Sequence, residues 1–148
     1  SNKFKTNIEE SIILDLFSGV GSFGIECISR KAKKVFFVEN YKKVLPVLKK
    51  NLNSLRSFKN FEIIEKDIYK DDLFNNFNLN FDIIFLDPPY QDSNIGKILI
   101  KIKNSKILNK KGIIILHRHE KDSEVFSKEF KIIEEKKYGI SKIIFIVI

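Results

Sequence analysis

The sequence predicts an α/β domain: a doubly wound, mostly parallel sheet of about seven strands that finishes in a C-terminal antiparallel hairpin. Three observations predict it. Apolar, β-branched runs alternate with helix-compatible stretches along the chain. Runs such as 82–86 (DIIFL) and 112–116 (GIIIL) are apolar almost throughout, as strands covered on both faces are. The last two runs are joined only by Tyr138-Gly139-Ile140-Ser141, too short for a helical crossover, so they pair antiparallel.

The length of 148 residues fits one domain, and 43% hydrophobic content with 12% aromatics is enough to fill a core. No repeat, low-complexity tract or linker divides the chain. Strands are expected at 12–17, 34–39, 61–65, 81–86, 112–117, 131–135 and 142–148, and helices at about 22–31, 41–55, 71–76, 93–105 and 121–128. Cys27 is the only cysteine, so no internal disulfide can form, and one Cys with two His makes no metal set. No apolar run approaches the roughly 20 residues that span a bilayer, and no signal pattern precedes the first strand, which implies a cytoplasmic protein with no membrane partner. No exposed apolar stripe calls for more than a monomer. Ser1-Asn2 starts the chain and methionine is absent, which reads as a fragment with a tag scar.

The net charge is +8, from 27 basic and 19 acidic residues. A basic domain suits a polyanion. Only Arg30, Arg56 and Arg118 are arginines; lysine supplies point charges to phosphates without the planar fork, so the charge points to backbone binding more than base reading. A solvated surface set by codon bias is the plainer account.

The first strand runs into Asp15-Leu16-Phe17-Ser18-Gly19-Val20-Gly21, and a helix follows. Gly19, Gly21 and Gly24 fit G-x-G-x-x-G in its strand–turn–helix context, so a nicotinamide or flavin dinucleotide must be weighed. Against it stands Asp15: a pyrophosphate at a helix N-terminus wants amides and no nearby carboxylate. An acid there suits a ligand with a cationic end, such as the amino group and sulfonium of S-adenosylmethionine; the plainer role is a turn carboxylate.

Glu39 ends the second strand, 20 residues after Gly19, where an acid can bind ribose hydroxyls; capping the next helix is the alternative. Asn40 and Tyr41 could flank an adenine. Asp67 ends the third strand, with Ile68 after it; a loop acid beside Asp71 and Asp72 is nearly as good an account. The fourth run ends in Asp87-Pro88-Pro89-Tyr90. Two prolines cannot continue a central strand, and they stiffen the backbone as it leaves the sheet. Asp87 and the Pro88 carbonyl become fixed acceptors beside the ring of Tyr90, an arrangement that suits a planar base with an exocyclic amine. Four successive strands thus each carry an acid at the carboxyl end, where open α/β sheets bind ligands. His117, Arg118 and His119 follow the fifth strand; they could reach substrate phosphate or the base, with a solvated loop as the plainer role.

The acid-x-Phe-x-Gly-x-Gly loop with a later DPPY resembles the amino-methyltransferases of Rossmann-like fold. More narrowly, 15–39 (DLFSGVGSFGIECISRKAKKVFFVE, including Glu26, Arg30 and Ala32), 81–90 (FDIIFLDPPY) and 136–139 (KKYG) resemble the RsmD-type family of 16S ribosomal RNA (guanine-N2)-methyltransferases. The resemblance extends from about residue 12 to the last strand. It implies S-adenosylmethionine as cofactor, S-adenosylhomocysteine as product, and ribosomal RNA or an assembling small ribosomal subunit as partner. It implies cofactor contacts from Asp15, Phe17, Ser18, Gly19, Gly21, Glu39, Asn40, Asp67, Ile68 and Asp87, and catalysis by Asp87, Pro88, Pro89 and Tyr90. Family members usually begin with a basic segment; about ten residues precede the first strand here, so part of the RNA-binding surface is expected to be missing. DNA adenine 6-amino methyltransferases share DPPY but usually carry a separate target-recognition region, which is not visible here. A non-catalytic nucleic-acid-binding module on the same fold is a further alternative, disfavoured by the intact acids and glycines.

Overall fold

A computed structural model describes residues 7–89, 94–123 and 125–148. The strands are β1 (Ile12–Leu16), β2 (Lys34–Val38), β3 (Phe61–Ile64), β4 (Phe81–Leu86), β5 (Leu108–His119), β6 (Lys131–Tyr138) and β7 (Ser141–Val147). They form one sheet in the order β3-β2-β1-β4-β5-β7-β6. β1 to β5 pair in parallel, and β7 runs antiparallel between β5 and β6. The chain therefore winds outward from β1 to β3, returns to the far side of β1 at β4, and opens a switch point between the carboxyl ends of β1 and β4.

Side chains alternate across the sheet with period two. Leu14, Leu16, Phe36, Val38, Ile84, Leu86, Ile114 and Leu116 face one layer, built from α3 (Ile95–Ser105) and a 3₁₀ turn at Phe74–Asn76. Ile13, Val35, Phe37, Ile83 and Ile115 face the other, built from α1 (Ser22–Ser29) and α2 (Leu45–Asn53). The α1 layer is fitted to the sheet by size. A Cβ on Gly24 of α1 would lie 2.2 Å from the Phe37 ring of β2, so only glycine lets α1 settle this close. The buried start of β4 is held by Asp82, whose carboxylate accepts the Ile12 N–H at 2.8 Å and the Asn109 side-chain amide at 2.7 Å. Cys27 is core; burial pushes its thiol up to about 12, so it stays neutral and unreactive.

The predicted sheet and terminal hairpin are both present. The hairpin turns on Gly139 at φ 56, with Ile140 second, as a two-residue turn with glycine at its first central position does. Three helix expectations need correction. No helix forms at 121–128 among the described residues. Val125 is 95% exposed and Phe126 packs partly buried against the core, which is too little for a helix face, and the polar groups close turns instead: Asp122 Oδ2 accepts the His119 N–H and Ser127 Oγ accepts the Glu129 N–H. The helix expected at 71–76 shrinks to the 3₁₀ turn, because Asp71 and Asp72 cap neighbouring groups. The helix expected from 41 starts at Leu45, with Pro46 in its first turn and a turn before it. β5 and β6 run further than expected, to His119 and Tyr138. No helix among the described residues is long and apolar enough to cross a membrane.

Candidate active site

The β1–α1 loop leaves the sheet with Phe17 at φ 60, a left-handed backbone that a bulky residue adopts only when its surroundings enforce it. Enforcement comes from both neighbours. The Ser18 N–H donates to the Val38 carbonyl at 3.0 Å, Ser18 Oγ donates to the Asp15 carbonyl at 2.7 Å, and the Gly21 N–H closes the loop on the Ser18 carbonyl at 2.9 Å. Gly19 is also left-handed, at φ 58, and a Cβ there would meet nothing within 4 Å, so its backbone borders open space.

Glu39 ties this loop to the end of β2. Its Oε1 accepts the Gly19 N–H at 2.8 Å, and its Oε2 accepts the N–H groups of Asn40 and Tyr41 at 3.1 and 3.0 Å. A carboxylate offers about four lone-pair sites. Three are taken by backbone, which leaves one for a ligand hydroxyl without displacing anything. Glu39 thus holds the turn at Asn40 and Tyr41 and does not cap α2, which starts at Leu45 after Val44 with no side-chain cap.

Asp67 is built into a turn: its Oδ1 accepts the Tyr69 N–H at 2.8 Å and its own N–H donates to Asp71 Oδ2 at 2.7 Å. The turn presents Ile68 and Tyr69, and Tyr69 lies against Phe17 with ring centroids 5.7 Å apart. A cavity of about 490 Å³ is lined by Phe17, Gly19, Glu39, Asn40, Tyr41, Lys66, Asp67, Ile68, Tyr69, Asp87 and Pro89, among others. This volume is in the range of small-molecule sites. Three carboxylates against one lysine make its lining acidic, which favours a ligand with a cationic end over a pyrophosphate.

Asp15 lies apart from that lining. It is 1% exposed and packed beneath the loop, with Oδ2 accepting the Gly24 N–H at 3.2 Å and Oδ1 without a hydrogen-bond partner. Burial pushes its carboxyl up to about 8; the nearby Asp87 and Glu39 carboxylates push the same way, and the Gly24 N–H opposes them. Its position underpins the start of α1. Gly21 caps that helix, and Ser18 is nearly buried.

The carboxyl end of β4 carries Asp87, Pro88 and Pro89; Tyr90 lies outside the described residues. Asp87 borders two cavities. One is the acidic cavity above. The other, of about 280 Å³, is lined by Asp87, Pro88, His117, Arg118, His119, Asp122, Ile140 and Ser141. His117 Nδ1 is 2.8 Å from Asp87 Oδ1. Arg118, 5% exposed, reaches the Pro89 carbonyl at 3.5 Å through Nη1 and Asp122 at 3.5 Å through Nη2, which braces the proline loop from β5. From sequence His117 and Arg118 could reach substrate phosphate or the base or be solvated loop residues; their contacts with Asp87 and the Pro89 carbonyl are not foreseen. Strand register was the signal available: Leu86 of β4 pairs with Leu116 of β5, so Asp87 and His117 are each the first residue beyond matched apolar runs. His119 ends β5 opposite Ser141, and its Nδ1 accepts the Lys121 N–H at 3.0 Å. No cluster of metal-ligating side chains occurs among the described residues.

The strand order, the glycine loop and the acids at the strand ends define a methyltransferase domain of Rossmann-like fold. A solved Haemophilus influenzae structure described as a methylase matches it with TM-score 0.79 and 30% identity, over 94% of this chain and 87% of that one. A conserved hypothetical protein of Streptococcus pyogenes shares the fold, with TM-score 0.83 and 24% identity over 93% of this chain and 86% of that one. The chain belongs to the RsmD family, described as Conserved hypothetical protein 95, which matches residues 2–147. Ribosomal RNA small subunit methyltransferase D of Buchnera aphidicola is 35% identical over 87% of this chain and 66% of the relative. The Haemophilus influenzae protein of the same name is 38% identical over 90% of this chain and 69% of the relative. The chain thus spans about two thirds of the length of the curated relatives it matches.

Glu39→Ala is expected to weaken S-adenosylmethionine binding by roughly tenfold or more, since it removes a charged acceptor and releases three backbone donors. Calorimetric titration measures the loss, and Glu39→Gln, which keeps the side-chain oxygen, should restore part of it.

Proposed function

We propose that this domain transfers a methyl group from S-adenosylmethionine to the exocyclic 2-amino group of a guanine in small-subunit (16S) ribosomal RNA, leaving S-adenosylhomocysteine. The observation that carries the reading is the double exposure of Asp87. The same carboxylate borders a cavity fit for the cofactor and a second, smaller cavity open to an acceptor.

The first cavity fits the cofactor in three respects. Glu39 keeps one lone-pair site for a ribose hydroxyl. Phe17, Tyr41, Ile68 and Tyr69 offer aromatic and aliphatic walls to an adenine. Asp67, beside Ile68, is the acceptor for the adenine amino group, and Asp87 provides negative charge for a cationic amino-acid end. Asp15 and Ser18 hold the glycine loop in shape from below, and Gly19 leaves the backbone open to the ligand. When bound, the cofactor supplies an electrophilic methyl group.

An aromatic amine is a poor nucleophile because its lone pair is delocalised into the ring. Hydrogen bonds from its two hydrogens to Asp87 and the Pro88 carbonyl favour a pyramidal nitrogen and free that lone pair. Asp87 also offsets the positive charge that grows on nitrogen as the N–C bond forms and the S–C bond breaks. The excess proton on nitrogen then leaves through Asp87 to water. Pro88 and Pro89 fix the acceptors in place, and holding the two reactants in line supplies much of the acceleration. The base must leave its stack to reach the site; we assign Tyr90 to hold it there.

The RNA choice is supported by the family names and by the net charge of +8. The test is transfer of a labelled methyl group to unmodified small ribosomal subunits, naked small-subunit ribosomal RNA and duplex DNA, followed by nuclease digestion. Label in 2-methylguanine from a ribosomal substrate is expected. Label in adenine of DNA, or none at all while the cofactor still binds, would overturn the proposal.

A further inference from the structure

We propose that His117 is a positioning residue for Asp87, orienting the carboxylate so that one oxygen is anchored and the other is presented to the acceptor amine. The inference rests on the reading of Asp87 as the amine acceptor and adds a residue that the DPPY motif does not contain.

Asp87 sits at the end of β4, half exposed and without a rigid shell: its side chain is 47% accessible. Its backbone N–H makes only a long contact, 3.4 Å, to the Leu16 carbonyl. An exposed carboxylate on a freely turning χ2 presents its oxygens in many directions. The parallel register with β5 removes that freedom. Asp87 and His117 occupy equivalent places on adjacent strands, one residue beyond the Leu86–Leu116 pair. The imidazole is 35% accessible and its Nδ1 lies 2.8 Å from Asp87 Oδ1. A carboxylate only accepts, so the contact requires the hydrogen on Nδ1. With Oδ1 engaged, Oδ2 is the oxygen left for a substrate N–H.

The neighbourhood makes the arrangement directional. Behind His117 on β5, Arg118 is buried and holds the Pro89 carbonyl and Asp122, so the strand end and the proline loop are tied by two side chains, one on each face. His117 also lines the 280 Å³ cavity with Pro88 and Ile140, which places the anchor on the acceptor side of Asp87. A group that fixes a first-contact residue in this way acts through geometry; misplacing the acceptor by about 1 Å can cost roughly 10²-fold in rate.

The test uses His117→Phe, which keeps a planar ring and removes the donor, and His117→Asn, whose amide can replace Nδ1–H. The expected result in methyl transfer is a fall in kcat of roughly 10–10²-fold for H117F. KM for RNA and Kd for S-adenosylmethionine should stay within a few-fold, Tm should be unchanged, and H117N should recover most of the rate. In an Asp87→Ala background, H117F should cost little more, because the two act as one unit. A readout independent of turnover is the imidazole ¹⁵N shifts: Nδ1–H in the wild type, with that signature lost in D87A, which removes the accepting oxygen. An Nε2–H tautomer indifferent to D87A, or H117F turning over at the wild-type rate, would overturn the role of His117 and leave the methyltransferase reading standing. A wild-type protein with no transfer to any amine would instead overturn that reading and the role of His117 with it.

Discussion

Replacing Asp87 with alanine should abolish methyl transfer, with a loss of roughly 10²–10³-fold or more, while S-adenosylmethionine still binds. The reasoning is differential. Asp87 is one of several groups lining the larger cavity, whose wall is also formed by Glu39 and Gly19, tied to each other by the Gly19 N–H on Glu39 Oε1. On the acceptor side it is the carboxylate next to Pro88, and the charge it offsets develops only as the N–C bond forms. Its removal therefore falls on the transition state and hardly on the ground state. Single-turnover transfer of a labelled methyl group measures the rate, and calorimetric titration with S-adenosylmethionine measures binding. Turnover retained in the alanine variant would remove the mechanism. Loss of cofactor binding in step with turnover would reassign Asp87 to the cofactor cavity.

Much of this site was legible in the chain because its parts are local. The glycine loop, Glu39 and DPPY each lie where an apolar run stops, and strand ends on one edge of a parallel sheet converge by topology. The fold was legible for the same reason: 83–86 and 113–116 are apolar on both faces, and the Gly139 turn leaves no room for a crossover. What the sequence obscured depends on side-chain direction. Asp15 reads as a strand-end acid beside the ligand, yet it is mid-register with Phe37 and Phe85 and faces the α1 layer, so it is buried under the loop. His117 and Arg118 alternate across β5, one to the Asp87 side and one into a buried contact, and composition alone carries no such sign. The false helix at 121–128 came from polar residues that cap turns as readily as they ride on a helix.

The buried carboxyl of Asp15 carries the second large expectation, in stability. Its acid is weaker in the folded protein, about 8, than its ordinary 3.8. Between those two values the folded state holds a proton that the unfolded state has lost, so stability falls as pH rises. Below about 4 both states are protonated and the full stability is present; above about 8 both are ionised and the fold carries a charge under α1. Four units correspond to roughly 5 kcal/mol at most, because local relaxation and water reduce the cost. Thermal unfolding from pH 5 to pH 9 should therefore show a falling Tm. Asp15→Asn, nearly the same shape and never ionised, should flatten that slope and leave the variant more stable than the wild type at pH 9. The difference between the two proteins isolates Asp15 from every other titrating group. Parallel Tm curves for the two would show that the carboxyl is solvated in the folded protein. The support that Asp15 gives the loop would then rest on an ionised hydrogen bond to Gly24.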